Sequence, residues 1–300
     1  MDLRFPLLHS AVTIMTPLLL AASGGLFTEL AGMLNIALEG LLLTGAFAAI
    51  VCAHFSGSIL WGILGAICAS LLLSAILGFV TLRLRANVFI AGLAANLFAS
   101  GLTVVLSFRL FGTRGVKVFD NIPPLKTVIL PIIDRIPLAG DLLSGHSRFV
   151  YLGWALLLAG HIVLCRTPFG FRLRACEGHS QALVSMGLKP GAYRFAAFLI
   201  SGLSCGIGGA FLSLNLGAFV PNISSGKGWI ALVVIFLGNR RPLGILAAAL
   251  VFGLAEAFSN YAQGSLNVPA DFILAIPYLF TLILMTMVSV FSGKDGRGRE

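Results

Sequence analysis

Residues 58–82 read SILWGILGAICASLLLSAILGFVTL, a stretch without a single charged side chain. About 20 apolar residues let a helix cross the ~30 Å hydrocarbon core of a bilayer, so this segment reads as a membrane span. Outward from it, further apolar windows lie at 8–24, 33–53, 88–108, 149–165, 194–217, 228–238, 243–262 and 271–292. The expected fold is therefore all-α: a polytopic membrane protein with about 8–10 transmembrane helices, forming a single domain over residues 1–300.

The composition agrees with that reading. Of 300 residues, 58% are hydrophobic and 10% charged, with a mean hydropathy of +1.00, which excludes an ordinary soluble globule. Twenty Lys and Arg against eleven Asp and Glu leave +9. In so apolar a chain that excess belongs in loops at the anionic inner face of a membrane. A nucleic-acid surface would need basic clusters on a soluble domain, and there are none. Cys52, Cys68, Cys165, Cys176 and Cys205 show no C-x-x-C spacing and read as small buried hydrophobes, without a disulfide framework or metal site. The opening MDLRFPLLHS leads into a retained first span, since no cleavage site stands out. No phosphate-binding loop, G-x-S-x-G elbow or H-E-x-x-H pair occurs, so an ATP-driven motor would have to be another chain.

Two segments break the pattern. GGLFTELAGMLNIALEG at 24–40 mixes Glu and Asn into an apolar background, and the window at 228–238, around WIALVVIFLGN, is too short to cross unaided. Irregular backbone at membrane depth is tolerated only where protein or a water-filled cavity surrounds it, so both segments point inward.

Orientation follows the basic loops. Residues 166–194 carry Arg166, Arg172, Arg174, Lys189 and Arg194 against Glu177 alone, which places them in the cytoplasm. Between Gly178 and Gly187 the composition favours a short helix lying along the membrane and suited to docking on a partner, the alternative being a solvated basic loop. The loop at 109–148 then lies outside, although it carries six Lys or Arg against three Asp. Its IPPLKTVILPIIDRIPLAGDLL suits an interfacial or re-entrant hairpin. Nine spans put the amino terminus outside; a tenth, hidden before residue 53, would put it inside.

Ionisable groups inside spans are costly and therefore informative. The candidates are Glu29, Glu39 and Glu256, with the amides Asn35, Asn96 and Asn260. If their segments are helical, Asn35 and Glu39 share one face, as do Glu256 and Asn260. These groups either line a polar path for a hydroxyl-rich or heterocyclic solute, or lock helices together by hydrogen bonds. Trp229, Phe98 and Phe219 either stack on a ring or pack as core. SGLSCGIGGAF at 201–211 brings helix backbones close.

Three motifs resemble a known family. TPFGFRLRACEGHSQALVSMGL, through Phe169, Gly170, Arg174, Ala175, Gly178, Ala182 and Gly187, is similar to the cytoplasmic loop of ATP-binding-cassette importer permeases of the branched-chain amino acid, ribose and nucleoside group. GLFTELAGMLNIALEGLLLTGAF resembles the nucleoside-type branch through Thr28, Glu29, Gly32, Asn35, Ile36, Leu38, Glu39 and Gly40, and GKGWIALVVIFLGNRRPLGILAAALVFGLAEA resembles the same branch. The sequence departs at Leu30, where the family has Arg, and at Leu183, where it has Ala.

The resemblance implies a type II importer permease in the bacterial inner membrane. Its expected partners are a second permease, a cytoplasmic ATPase that alone uses ATP, and an extracytoplasmic binding lipoprotein; no cofactor is expected in this chain. Gly170, Arg172, Arg174, Glu177, Gly178 and Gly187, in a loop at 166–193, would couple to the ATPase. Glu39, Asn35, Asn96, Glu256, Asn260 and Trp229 would line the solute path. Nucleosides are the family default for this motif, with riboflavin and simple sugars as alternatives. An ion-coupled secondary transporter, with Glu39 and Glu256 as ion sites, is the reading from another class.

Overall fold

The computed structural model describes residues 4–129 and 143–265, with Leu279 and Thr286 as isolated positions beyond them. The chain runs through α1 (Arg4–Leu30), α2 (Leu38–Ser56), α3 (Ile59–Leu82), α4 (Val88–Phe111), β1 (Lys117–Val118), β2 (Thr127–Val128) and β3 (His146–Ser147). It continues through α5 (Arg148–Arg166), α6 (Pro168–Gly178), α7 (Ser180–Ser185), α8 (Pro190–Leu216), β4 (Ala218–Phe219), α9 (Lys227–Leu237) and α10 (Pro242–Ser265). Among the described residues seven helices are long and apolar enough to cross a membrane: α1 to α5, α8 and α10. The expected span at 271–292 falls outside the described residues apart from Leu279 and Thr286.

α1, α2 and α8 form the centre. α1 packs on α8, α9 and α10, while α2 and α8 pack on each other and on α3. The apolar window of α1 is 89% buried, against 33% for α3 and 28% for α4 and α5, so the outer helices offer their apolar faces to lipid or to another chain. Small residues make the centre possible: a Cβ on Gly45 of α2 would stand 3.0 Å from the Gly206 Cα of α8, the close approach expected of 201–211. Hydroxyls fasten the same contacts, Ser70 donating to the Leu41 carbonyl at 2.6 Å and Ser74 to that of Phe198.

α1 runs from one end of the bundle to the other. Near its start His9 stacks on His146 at 4.1 Å, and at its close Glu29 meets Arg240, which also holds Glu177. Among the described residues up to Ser56 the helices are α1 and α2, so no additional span occurs among them. The amino-terminal end of α1 therefore lies opposite the 166–194 segment. The hairpin expected in 109–148 falls largely on residues 130–142, outside the described ones. Around them, β1 pairs antiparallel with β4 and β2 with β3, fastening the loop to the far ends of α8 and α5. All five cysteines are free; Cys176 and Cys205 are buried as expected, whereas Cys68 is exposed on α3.

Candidate functional site

Two breaks in the helical pattern meet inside the bundle. The first separates α1 from α2. Gly32 takes a left-handed φ of +73°, its N–H donating to the Glu29 carbonyl and that of Met33 to the Thr28 carbonyl, a Schellman ending of α1. Glycine is needed there twice over, because a Cβ would also come within 3.0 Å of the Glu177 Cα. Asn35 then stands in non-helical chain. Its Oδ1 accepts from the Ala37 N–H at 3.1 Å and its Nδ2 donates to Ser201 Oγ of α8 at 3.0 Å. The expected shared helical face of Asn35 and Glu39 is thus not formed, since α2 begins only at Leu38. Asn96 of α4 closes the break from outside: Oδ1 accepts from the Gly40 N–H at 2.7 Å and Nδ2 donates to the Ile36 carbonyl at 3.0 Å. Backbone groups freed at membrane depth are in this way satisfied by side chains.

The second break is α9. Its 11 residues reach about 16 Å, half the hydrocarbon thickness, so one end stops inside the bundle. That end is the N-terminus, and it rests on Glu39, which is 8% exposed. Glu39 Oε1 accepts from Ser224 Oγ at 2.6 Å and from the Gly226 N–H at 2.8 Å. Oε2 accepts from the Gly228 N–H at 2.7 Å. A carboxylate here meets both the positive end of the helix dipole and its unpaired N–H groups. Gly228 allows the approach, because a Cβ would lie 2.2 Å from the Glu39 backbone nitrogen. Beside this junction Lys227 pairs with Glu256 of α10. Trp229, 41% exposed, lies in the first turn of α9. Asn260, one turn beyond Glu256, is exposed. The six residues expected along a solute path therefore divide: Asn35, Asn96 and Glu39 hold the breaks together, whereas Glu256, Asn260 and Trp229 keep accessible surface. Phe219 is fully buried against Phe47 and cannot stack on a solute, while Phe98 is exposed.

At the end of the bundle where α1 closes, the expected docking element is two helices, α6 and α7, of which only α7 falls between Gly178 and Gly187. Thr167 caps α6 and Gly170 is buried where α6 turns back on the end of α5. Leu173 and Cys176 are buried beneath it. Gly178 ends α6; Gly187 ends α7 with a left-handed φ of +75°. Arg172 reaches Tyr193 Oη at 3.3 Å, and the Arg174 guanidinium lies 5.0 Å from the centre of the Phe171 ring. Phe171, Val184 and Met186 are exposed.

This element is tied to both breaks. Glu177 accepts from Arg240 Nη2 at 2.7 Å, and Arg240 also faces Glu29 Oε1 at 3.3 Å. Arg194 donates to the Cys176 carbonyl of α6 at 2.7 Å and to the Ala31 carbonyl of the first break at 3.2 Å. Ser224, Lys227, Arg194 and Arg240 were not singled out as site residues from the sequence. Lys227 and Arg240 flank the short apolar run of α9, the one local signal that could have found them.

The family described as branched-chain amino acid transport system / permease component matches residues 7–289. The chain is 33% identical to the guanosine ABC transporter permease protein NupQ of Bacillus subtilis, over 90% of this chain and 88% of that one. It is 29% identical to the nucleoside ABC transporter permease protein NupC of Lactococcus lactis, over 93% and 90%. With the glucose ABC transporter permease protein TsgB13 of Haloferax volcanii the identity is 25%, over 55% and 43%. In fold it resembles a metal-chelate type ABC transporter solved in an inward-facing conformation, with a TM-score of 0.57, 16% identity, and 95% and 86% of the two chains covered.

Proposed function

The chain belongs to the branched-chain amino acid transport system / permease component family, and from that premise we propose that it imports a nucleoside-like solute. It is a permease subunit of an ABC transporter of the nucleoside and sugar group, a multi-pass protein of the bacterial inner membrane and a translocation component, not an enzyme. That membership sets aside the ion-coupled carrier. The nucleoside reading is carried by the similarity to NupQ and NupC along nine-tenths of the chain.

In this reading α6 and α7 face the cytoplasm and dock on an ATPase through Phe171, Val184 and Met186, with Gly170, Gly178 and Gly187 shaping the turn. The loop at 109–148 faces a solute-delivering lipoprotein, and a second permease completes the path. No cofactor is needed in this chain, ATP being used by its partner. Movement of α6 is passed to the first break through Arg194 and the Glu177–Arg240–Glu29 chain, and Arg240, from the turn between α9 and α10, carries it to the second. Both breaks end at Glu39, so a shift at α6 reorients the inner end of α9. Trp229 then offers a ring for stacking on a base, and Asn260 and the Lys227–Glu256 pair offer polar groups for its edge or its ribose.

The test is ATPase activity of the reconstituted complex with its lipoprotein, measured with guanosine, riboflavin or ribose. Stimulation by guanosine is expected. Stimulation by riboflavin or ribose alone, with none by guanosine, overturns the nucleoside assignment.

A further inference from the structure

A cavity of about 970 Å³ opens at the α6 end of the bundle, between the close of α5 and the start of α10. Arg174, Arg240 and Arg241 line it on the polar side, and the rest of its wall is largely apolar, with Leu164, Leu237, Ala247 and Val251 among the lining residues. Arg240 is committed to Glu29 and Glu177. Arg174 and Arg241 form no ion pair with a carboxylate among the described residues. From Pro242 to Val251 the wall follows α10 for about 14 Å. Beyond it a second apolar cavity of about 510 Å³ continues between the same two helices, sharing His161, Pro242 and Leu243 and lined by Met15, Trp154 and Leu246. α5, on one side, is among the least buried helices of the bundle.

We propose that this groove binds an anionic phospholipid, its phosphate between Arg174 and Arg241 and an acyl chain along α10. The position of the cavity supports this, since Leu30 at the close of α1, Cys165 near the close of α5 and Pro242 at the start of α10 line it, at the helix ends where a headgroup meets hydrocarbon. A soluble phosphate would use the arginines and leave the apolar wall wet, whereas a lipid covers both. The proposal goes beyond the transport reading and does not depend on which solute is carried. A lipid seated here touches α6 through Arg174 and the turn before α10 through Arg241, the two elements that Arg240 joins.

Native mass spectrometry of the full chain, released from detergent containing equal amounts of phosphatidylglycerol and phosphatidylcholine with matched acyl chains, tests it. The wild type should retain phosphatidylglycerol roughly 25-fold in preference, each of the two arginines at the headgroup favouring an anionic lipid by about fivefold. Arg241→Gln should lower the preference about fivefold and Arg174→Gln with Arg241→Gln should abolish it. Ala247→Trp should displace both lipids by filling the wall; the arginine variants decide the matter if it does not fold. Equal retention of the two lipids by wild type, or an unchanged preference in the double arginine variant, overturns the proposal. Competition by glycerol 3-phosphate as effective as by the lipid makes this an anion site and overturns it too. So does a disulfide between Ala247→Cys and a cysteine placed within 271–292, which would put the chain's own carboxy-terminal segment in the groove.

Discussion

Glu39 and Glu177 both hold α9 or its flank, yet by opposite means. Glu39 is buried and accepts from two backbone N–H groups and one hydroxyl; Glu177 has a side chain 45% exposed and meets a guanidinium. In a dry setting a carboxylate is stable only when donors surround it, and removing it strands those donors. At the surface water can replace either partner, so the pair contributes little to stability and can break and reform. The buried junction therefore suits a fixed pivot and the exposed one a contact that changes during a cycle.

The largest effect should follow Glu39→Leu, which leaves the Ser224 hydroxyl and the Gly226 and Gly228 amides without an acceptor. We expect a loss of about 3–5 kcal/mol, seen as a collapse of the thermal transition in detergent. A variant as stable as wild type would break the comparison outright. Gly228→Ala comes next, at about 1–3 kcal/mol, because its methyl meets backbone and α9 must lift away from α2. Uptake at the wild-type rate by that variant would mean the junction tolerates opening. Glu39→Gln should cost about 1–2 kcal/mol, since an amide nitrogen can only turn a donor toward donors. With three donors around Glu39, even a purely structural role does not accept this amide.

Glu177→Gln should change stability by less than about 1 kcal/mol while loosening the tie between α6 and the α9–α10 turn. ATP hydrolysis by the complex should persist with reduced uptake, and a fall in both together would assign Glu177 to assembly instead. The smallest effect separates the two regions by salt alone. Raising the salt to about 1 M shortens the screening length to about 3 Å, so the Arg240→Ala variant should differ from wild type less at high salt than at low, while the Glu39→Gln penalty stays constant. Equal salt sensitivity would show that Glu39 is wetter than its burial implies.

Much of the fold was legible. The window read at 58–82 is α3 within a residue at either end, and that at 149–165 is α5, because a long uncharged run has few alternatives to a helix in lipid. The run at 228–238 announced a helix too short to cross, and α9 is one. The site was legible only as a list of residue types. Asn35 and Glu39 were correctly read as inward, but their helical spacing misled: Gly32 ends α1 and the chain is irregular until Leu38. Asn96, Glu39 and Glu256 look alike in sequence, each a polar group in an apolar run, and nothing local separates the ones that bond to protein from those left accessible.

The positions of the long apolar helices among the described residues, the places where helices break and the amphiphilic character of 166–194 were thus determined locally, since hydropathy and glycine act over a few residues and the bilayer admits few alternatives. The role of each polar group was decided by folding alone. Ser224 reaches Glu39 across 185 residues of chain and Asn35 reaches Ser201 across 166. A buried polar atom takes its function from whichever partner the packing brings within about 3 Å, a distance that spacing along the chain does not encode.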